Sequence, residues 1–171
     1  MFKRVLVACD LTEQSTTAIG LTRQLAIETG ASVVAVHIVD MPNTLRPFAG
    51  PSFRTDLASY RAVVARQLAT AEDRLRTQLE QAAIRMTDTR IIVRAGTPAP
   101  LVAAIAEEVG ADLIVVGRGR DGRLGPVAEH TVRLVGRTVM VAPVYKKPRA
   151  KRPLPASYGR RPGGRPGRPR A

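Results

Sequence analysis

The order of apolar segments predicts an α/β protein: a doubly wound, five-stranded parallel sheet in the order 3-2-1-4-5, with helices on both faces. Three observations carry this. Short runs rich in Val, Ile and Leu, such as Val5 to Cys9 and Ser32 to Val39, are continuous, as expected of strands covered on both faces. Segments of helical period separate each run from the next. Asp112 to Val127 is a strand running into a glycine-rich turn and then a helix start, the arrangement by which such proteins build anion sites.

Each element has its own local reason. Val5 to Cys9 is the first strand and ends at Asp10. Thr12 can cap a helix carrying Ala18, Ile19, Leu21, Thr22, Leu25 and Ala26, and Gly30 can end it. After the second strand, Met41 to Arg54 holds three prolines and a glycine and reads as a loop, packed down by Phe48 and Phe53. Thr55 to about Ile84 reads as one long helix, with Leu57, Tyr60, Val64, Leu68, Ala71, Leu75, Leu79 and Ala82 on a single stripe. Its other face, with Arg66, Asp73, Arg74, Arg76 and Glu80, is a solvated surface. The stripe covers a sheet or, alternatively, forms a coiled-coil dimer.

Arg90 to Ala95 is the third strand, ending at Gly96. Thr97 and Pro98 open a helix with Leu101, Ile105 and Val109 on one face. Asp112 to Val116 is the fourth strand. Gly125 to Val135 is the fourth helix, with Val127, Thr131, Leu134 and Val135 placed inward. Thr138 to Val144 is the fifth strand, and Pro143 marks its end or an exposed edge. The strand order reverses between strands one and four, so Asp10 and Gly117 face one crevice, where ligands of such sheets bind.

Composition bounds the function. No apolar run approaches the ~18 residues of a membrane span. The opening MFKRVLVACD reads as a strand and not a signal peptide. A single cysteine, Cys9, excludes an internal disulfide framework and fits a reducing cytoplasm. The net charge of +13 is unevenly spread: ten of the 27 basic residues lie from Lys146 onward, where none of the 14 acidic residues falls. The expected organisation is therefore a domain over 1–145 and a disordered basic tail over 146–171. Such a tail can bind RNA, DNA or another polyanion in a salt-dependent way, or serve only as a solubilising extension.

Several stretches together resemble the universal stress protein family. They are VLVACDLTEQSTTAI, AVHIVD, AGTPAPLVAAIAEEVGADLIVVGRG and GPVAEHTVRLVGRTVMVAP, in order over roughly residues 3 to 144. The resemblance implies a Rossmann-like fold of the adenine nucleotide alpha hydrolase type and a homodimer joined through strand 139–144. It also implies an ATP site, with Mg²⁺ accompanying the nucleotide. Ala8, Cys9, Asp10 and Ile38 would line its adenosine end, and Gly125, Pro126 and Val127 its phosphate end.

Nucleotide-binding members have a Gly, two residues, a Gly, nine residues, then Gly-Ser or Gly-Thr. Gly117 matches the first glycine, Arg120 stands where the second belongs, and only Asp121 to Leu124 separate it from Gly125. Pro126 takes the Ser/Thr position and supplies neither hydroxyl nor N–H. A shortened turn cannot wrap a triphosphate in the same way. Arg118, Arg120 and Arg123 offer cationic contacts instead, Gly119 and Gly122 permit tight turns, and the N–H groups of Val127 and Ala128 remain. The alternative is a plain connecting turn with solvated arginines. GRGRDG also spells a dinucleotide fingerprint, but it follows the fourth strand and lacks its ribose-binding acid.

Asp10 can accept from a ribose, hold a metal through water, or be satisfied by nearby backbone N–H groups. Cys9 reads as a small buried hydrophobe, and His37 and His130 as structural. No metal-ligand spacing, nucleophile elbow or Walker lysine is present. The expectation is a non-catalytic binding or regulatory protein of the stress response. The alternatives are an ATP binder with slow hydrolysis and a polyanion-binding protein acting through its tail.

Overall fold

The computed structural model describes residues 1–40, 57–119, 121 and 123–144. The expected loop at Met41 to Arg54, the basic tail, Arg120 and Gly122 lie outside the described residues.

The elements are β1 (Arg4–Cys9), α1 (Glu13–Thr29), β2 (Ser32–Val39), α2 (Leu57–Gln81), β3 (Thr89–Ala95), α3 (Pro98–Glu108), β4 (Leu113–Val116), α4 (Pro126–Leu134) and β5 (Thr138–Val141). The strands form one five-stranded sheet in the order β3-β2-β1-β4-β5. All pairings are parallel, with Val7 opposite Ala35 on one side and Val115 on the other. The predicted class and order are those observed.

Strand geometry sends alternate residues to opposite faces. Val5, Val7, Val33, Ala35, Leu113 and Val115 pack with Ile19 of α1 and Leu75 and Leu79 of α2. Leu6, Val34, Val36, Ile114 and Val116 pack with Val102 and Ile105 of α3 and Ala128 of α4. Two apolar layers therefore sandwich the sheet, which is why its strands read as continuous apolar runs.

The expected caps of α1 are present. The Thr12 side chain accepts from the Gln14 N–H, and Gly30, at φ +70°, donates its N–H to Ala26 O. In α2, Leu75 and Leu79 are fully buried, whereas Val64 and Leu68 are half-buried. Burial contributes about 1.5–3 kcal/mol for each such leucine, so α2 is anchored by its C-terminal half.

Three boundaries differ from expectation. Thr89, ahead of Arg90, begins β3 by pairing with Val33. β4 starts at Leu113 because the Asp112 carboxylate turns back to accept the Lys3 and Arg4 N–H groups, at 2.7 and 3.2 Å. β5 stops at Val141: Ala142 still donates to Val116 O, but Pro143 has no N–H to continue the ladder. The inward face of α4 differs in part: Thr131 is buried and Val135 packs against the core as expected, but Val127 is 39% exposed and Leu134 55% exposed, and Ala128 is buried instead. The stripe sits about one residue round from its expected place, because small Ala128 fits closest to the sheet.

Candidate functional site

β1 and β4 end side by side, and the chain leaves them in opposite directions, to α1 on one face and α4 on the other. This divergence opens a crevice beyond the sheet. A cavity of about 580 Å³ fills it, bounded by Ala8, Cys9 and Asp10, by Ile38, by Gly117 and Gly119, and by Gly125, Pro126 and Val127. Nine of the eleven residues proposed from sequence thus meet around one space. The other two, Arg120 and Gly122, lie outside the described residues. A larger cavity, about 640 Å³, lies at the opposite ends of the strands and includes none of them.

Asp10 is held by its own loop. Its Oδ1 accepts from the Thr12 N–H at 3.0 Å, the Thr12 hydroxyl at 2.6 Å and the Ser15 hydroxyl at 2.6 Å. The Asp10 N–H donates to Ser15 Oγ at 2.8 Å. Desolvation at the crevice works to raise its pKa, but the Ser15 and Thr12 hydrogen bonds outweigh it and hold the carboxyl below its ordinary value. Among the described residues, Oδ2 has no protein hydrogen bond. The two readings of this acid are therefore divided between its oxygens: one is satisfied locally, and the other is open as an acceptor.

Ser15 was not singled out in the sequence. It occupies the third position of α1, and a hydroxyl there can reach back to a strand-end acid. Helix spacing just after Asp10 is the signal that marks it.

Cys9 is buried, and its thiol is pushed up to about 12, first by burial and then by the Asp10 charge. It is a packed apolar side chain and not a nucleophile at neutral pH. His37 Nδ1 donates to Cys9 O at 2.8 Å, tying β2 to β1, and the ring also borders the cavity.

The glycine turn after β4 is closed by its own hydrogen bonds. Gly119 N–H donates to Arg123 O at 2.9 Å, and Arg123 N–H donates to Asp121 Oδ1 at 3.0 Å. A Cβ at Gly119 would lie 3.2 Å from Arg123 O, so glycine lets the turn close. The turn thus uses two of its own N–H groups internally. Beyond it, Gly125 is the N-cap of α4 with no side-chain cap, and Pro126 is the first helical residue. The Val127 and Ala128 N–H groups precede the first intrahelical donor, Glu129, and this uncapped helix start borders the cavity.

The family profile described as the universal stress protein family matches residues 1–143. The chain belongs to this family. No curated protein matches it significantly. Among solved structures, it is similar to the hypothetical protein MJ0577, with TM-score 0.64 and 18% identity over 86% of this chain and 99% of that one. It is also similar to the universal stress protein UspA from Lactobacillus plantarum, with TM-score 0.63 and 20% identity over 82% and 97%. A universal stress protein crystallised in complex with cAMP gives TM-score 0.54 and 20% identity over 82% and 96%. At these identities the likeness shows the shared fold. No helix among the described residues is long and apolar enough to cross a membrane.

Proposed function

We propose that this universal stress protein binds an adenine nucleotide in the crevice and acts as a non-catalytic, regulatory component of the stress response. One observation carries the reading: Asp10, whose Oδ2 has no hydrogen bond among the described residues, and the uncapped start of α4 line the same cavity of about 580 Å³. A nucleotide needs an acceptor for its ribose hydroxyls and donors for its phosphate, and these groups supply both. The universal stress protein solved with cAMP supports the choice of an adenine ligand.

The phosphate end is shortened. With two N–H groups of the turn used internally, the donors at the helix start suit one phosphate better than three. Among the described residues no group of three metal-ligating side chains gathers. Mg²⁺ would arrive with the nucleotide, and Asp10 and Asp40 are the carboxylates that line the cavity among the described residues.

Equilibrium dialysis with AMP and with ATP plus Mg²⁺ tests the reading. Asp10→Asn is the informative variant, because it keeps an oxygen for Thr12 and Ser15 while replacing the open one. Saturable uptake by the parent, weakened in Asp10→Asn, supports the proposal; no uptake of either nucleotide overturns it. Release of inorganic phosphate from bound ATP would favour the alternative of slow hydrolysis.

The assembly belongs to the same proposal: a cytoplasmic homodimer joined through strand 139–144. In the sheet of one chain, β5 is an edge strand with no outer partner among the described residues. A second reading rests on charge. Ten basic residues without an acid from Lys146 onward favour contact with nucleic acid or another polyanion.

A further inference from the structure

The Asp10 loop adopts a conformation that its own residues resist. Leu11 has φ 60°, a left-handed backbone that a bulky L-residue rarely adopts. Its side chain packs against the core beneath α1 and α2, which accounts for the leucine but not for the turn. Two side chains of α2 reach this loop from across the groove. Gln78 Nε2 donates to Thr12 O at 3.1 Å, and Arg74 Nη2 makes a longer contact to Leu11 O at 3.5 Å. Both carbonyls belong to the residues that fold around Asp10.

Gln78 is well placed for such a grip. It lies between Leu75 and Leu79, the two fully buried leucines that anchor α2, so its donor is fixed relative to the sheet. Its other polar atom, Oε1, is buried without a hydrogen-bond partner among the described residues. A half-paired buried amide is a poor choice for stability alone, and an apolar side chain of equal length would serve folding at least as well.

We infer that Gln78, assisted by Arg74, is a positioning residue for the proposed nucleotide site: it holds the strained Leu11–Thr12 segment so that Asp10 stays aimed into the crevice. The inference rests on the nucleotide-binding reading. It adds that α2, none of whose described side chains lines the cavity, sets the affinity from behind.

The test pairs affinity with stability. Gln78→Met keeps length and loses the donor. Binding of AMP or ATP–Mg²⁺, whichever the parent takes up, is expected to weaken about tenfold, with Tm unchanged or raised. Leu11→Gly makes the left-handed turn free of strain, so adding Gln78→Met to it is expected to cost about twofold or less. Hydrogen exchange at the Thr12, Gln14 and Ser15 amides should quicken in Gln78→Met without nucleotide present. Gln78→Glu, the same shape with no donor, is a second route should Gln78→Met fail to fold.

Unchanged affinity in a parent that binds nucleotide overturns this inference and leaves the nucleotide reading standing. A parent that binds no nucleotide overturns both. A fall in Tm matching the loss of affinity, or an undiminished loss in the Leu11→Gly background, reduces Gln78 to a structural role and overturns the inference.

Discussion

At the residue scale, a side chain's value depends on which of its atoms are already taken. Asp10 uses one oxygen on Thr12 and Ser15, so replacement by alanine would unbind the loop as well as remove an acceptor. Ser15→Ala is expected to weaken nucleotide binding about fivefold by freeing that carboxylate, read by calorimetric titration. Pro126→Ser is expected to act the other way. It restores a hydroxyl and an N–H at the first position of α4 and should tighten binding about fivefold in the same measurement. The strand-end acid was legible in the sequence. The division of labour between its oxygens was not, because it depends on where the first turn of α1 places Ser15.

The acids also set the response to pH. Asp112 is shifted by desolvation, which raises its pKa, and by the Lys3 and Arg4 N–H groups, which outweigh desolvation and lower it. A carboxyl with a lowered folded-state pKa contributes stability that is fully present above its unfolded value. That stability is lost as pH falls through the folded value. Asp10 and Asp112 are both lowered, so thermal stability should decline below about pH 4. Asp112→Asn should make that decline shallower, measured as Tm against pH.

At the element scale, the period of α4 was legible and its phase was not. Leu134 is 55% exposed where an inward position was expected. Leu134→Gln should therefore change stability by no more than about 0.5 kcal/mol, the ordinary range for a surface change. Ala128→Leu, against the sheet, should destabilise by about 1–3 kcal/mol through overpacking. Gly96 is required by its backbone. It has φ +146°, and an added Cβ would lie 2.7 Å from Leu101 Cδ1. Gly96→Ala should cost about 1–3 kcal/mol in chemical denaturation and displace the start of α3, where Pro98 borders the cavity.

At the scale of the whole molecule, net charge is unevenly spread along the chain. The folded layers use apolar faces on both sides of the sheet, while ten of the 27 basic residues follow Val144. Truncation after Val144 is expected to leave Tm unchanged and to abolish salt-sensitive retention on a polyanion column. If retention is unchanged, the polyanion reading falls. Val139→Lys with Val141→Lys, placed on the edge strand, should convert the proposed dimer to a monomer in analytical ultracentrifugation, read beside Tm because both side chains also pack against the core layer of α3 and α4.

The sequence by itself determined the class, the strand order and the location of the crevice. These follow from apolar periodicity, right-handed crossovers and the residues that end strands, all of which are local or near-local properties. It also determined the composition of the glycine turn, including the proline at the head of α4. The tertiary structure decided how the turn closes on its own N–H groups, which face of α4 meets the sheet, and that Gln78 reaches Thr12 across 66 positions. Those contacts depend on the packing of elements distant in the chain, and no local pattern encodes the distance between two carbonyls and a helix that packs beside them on the same face of the sheet.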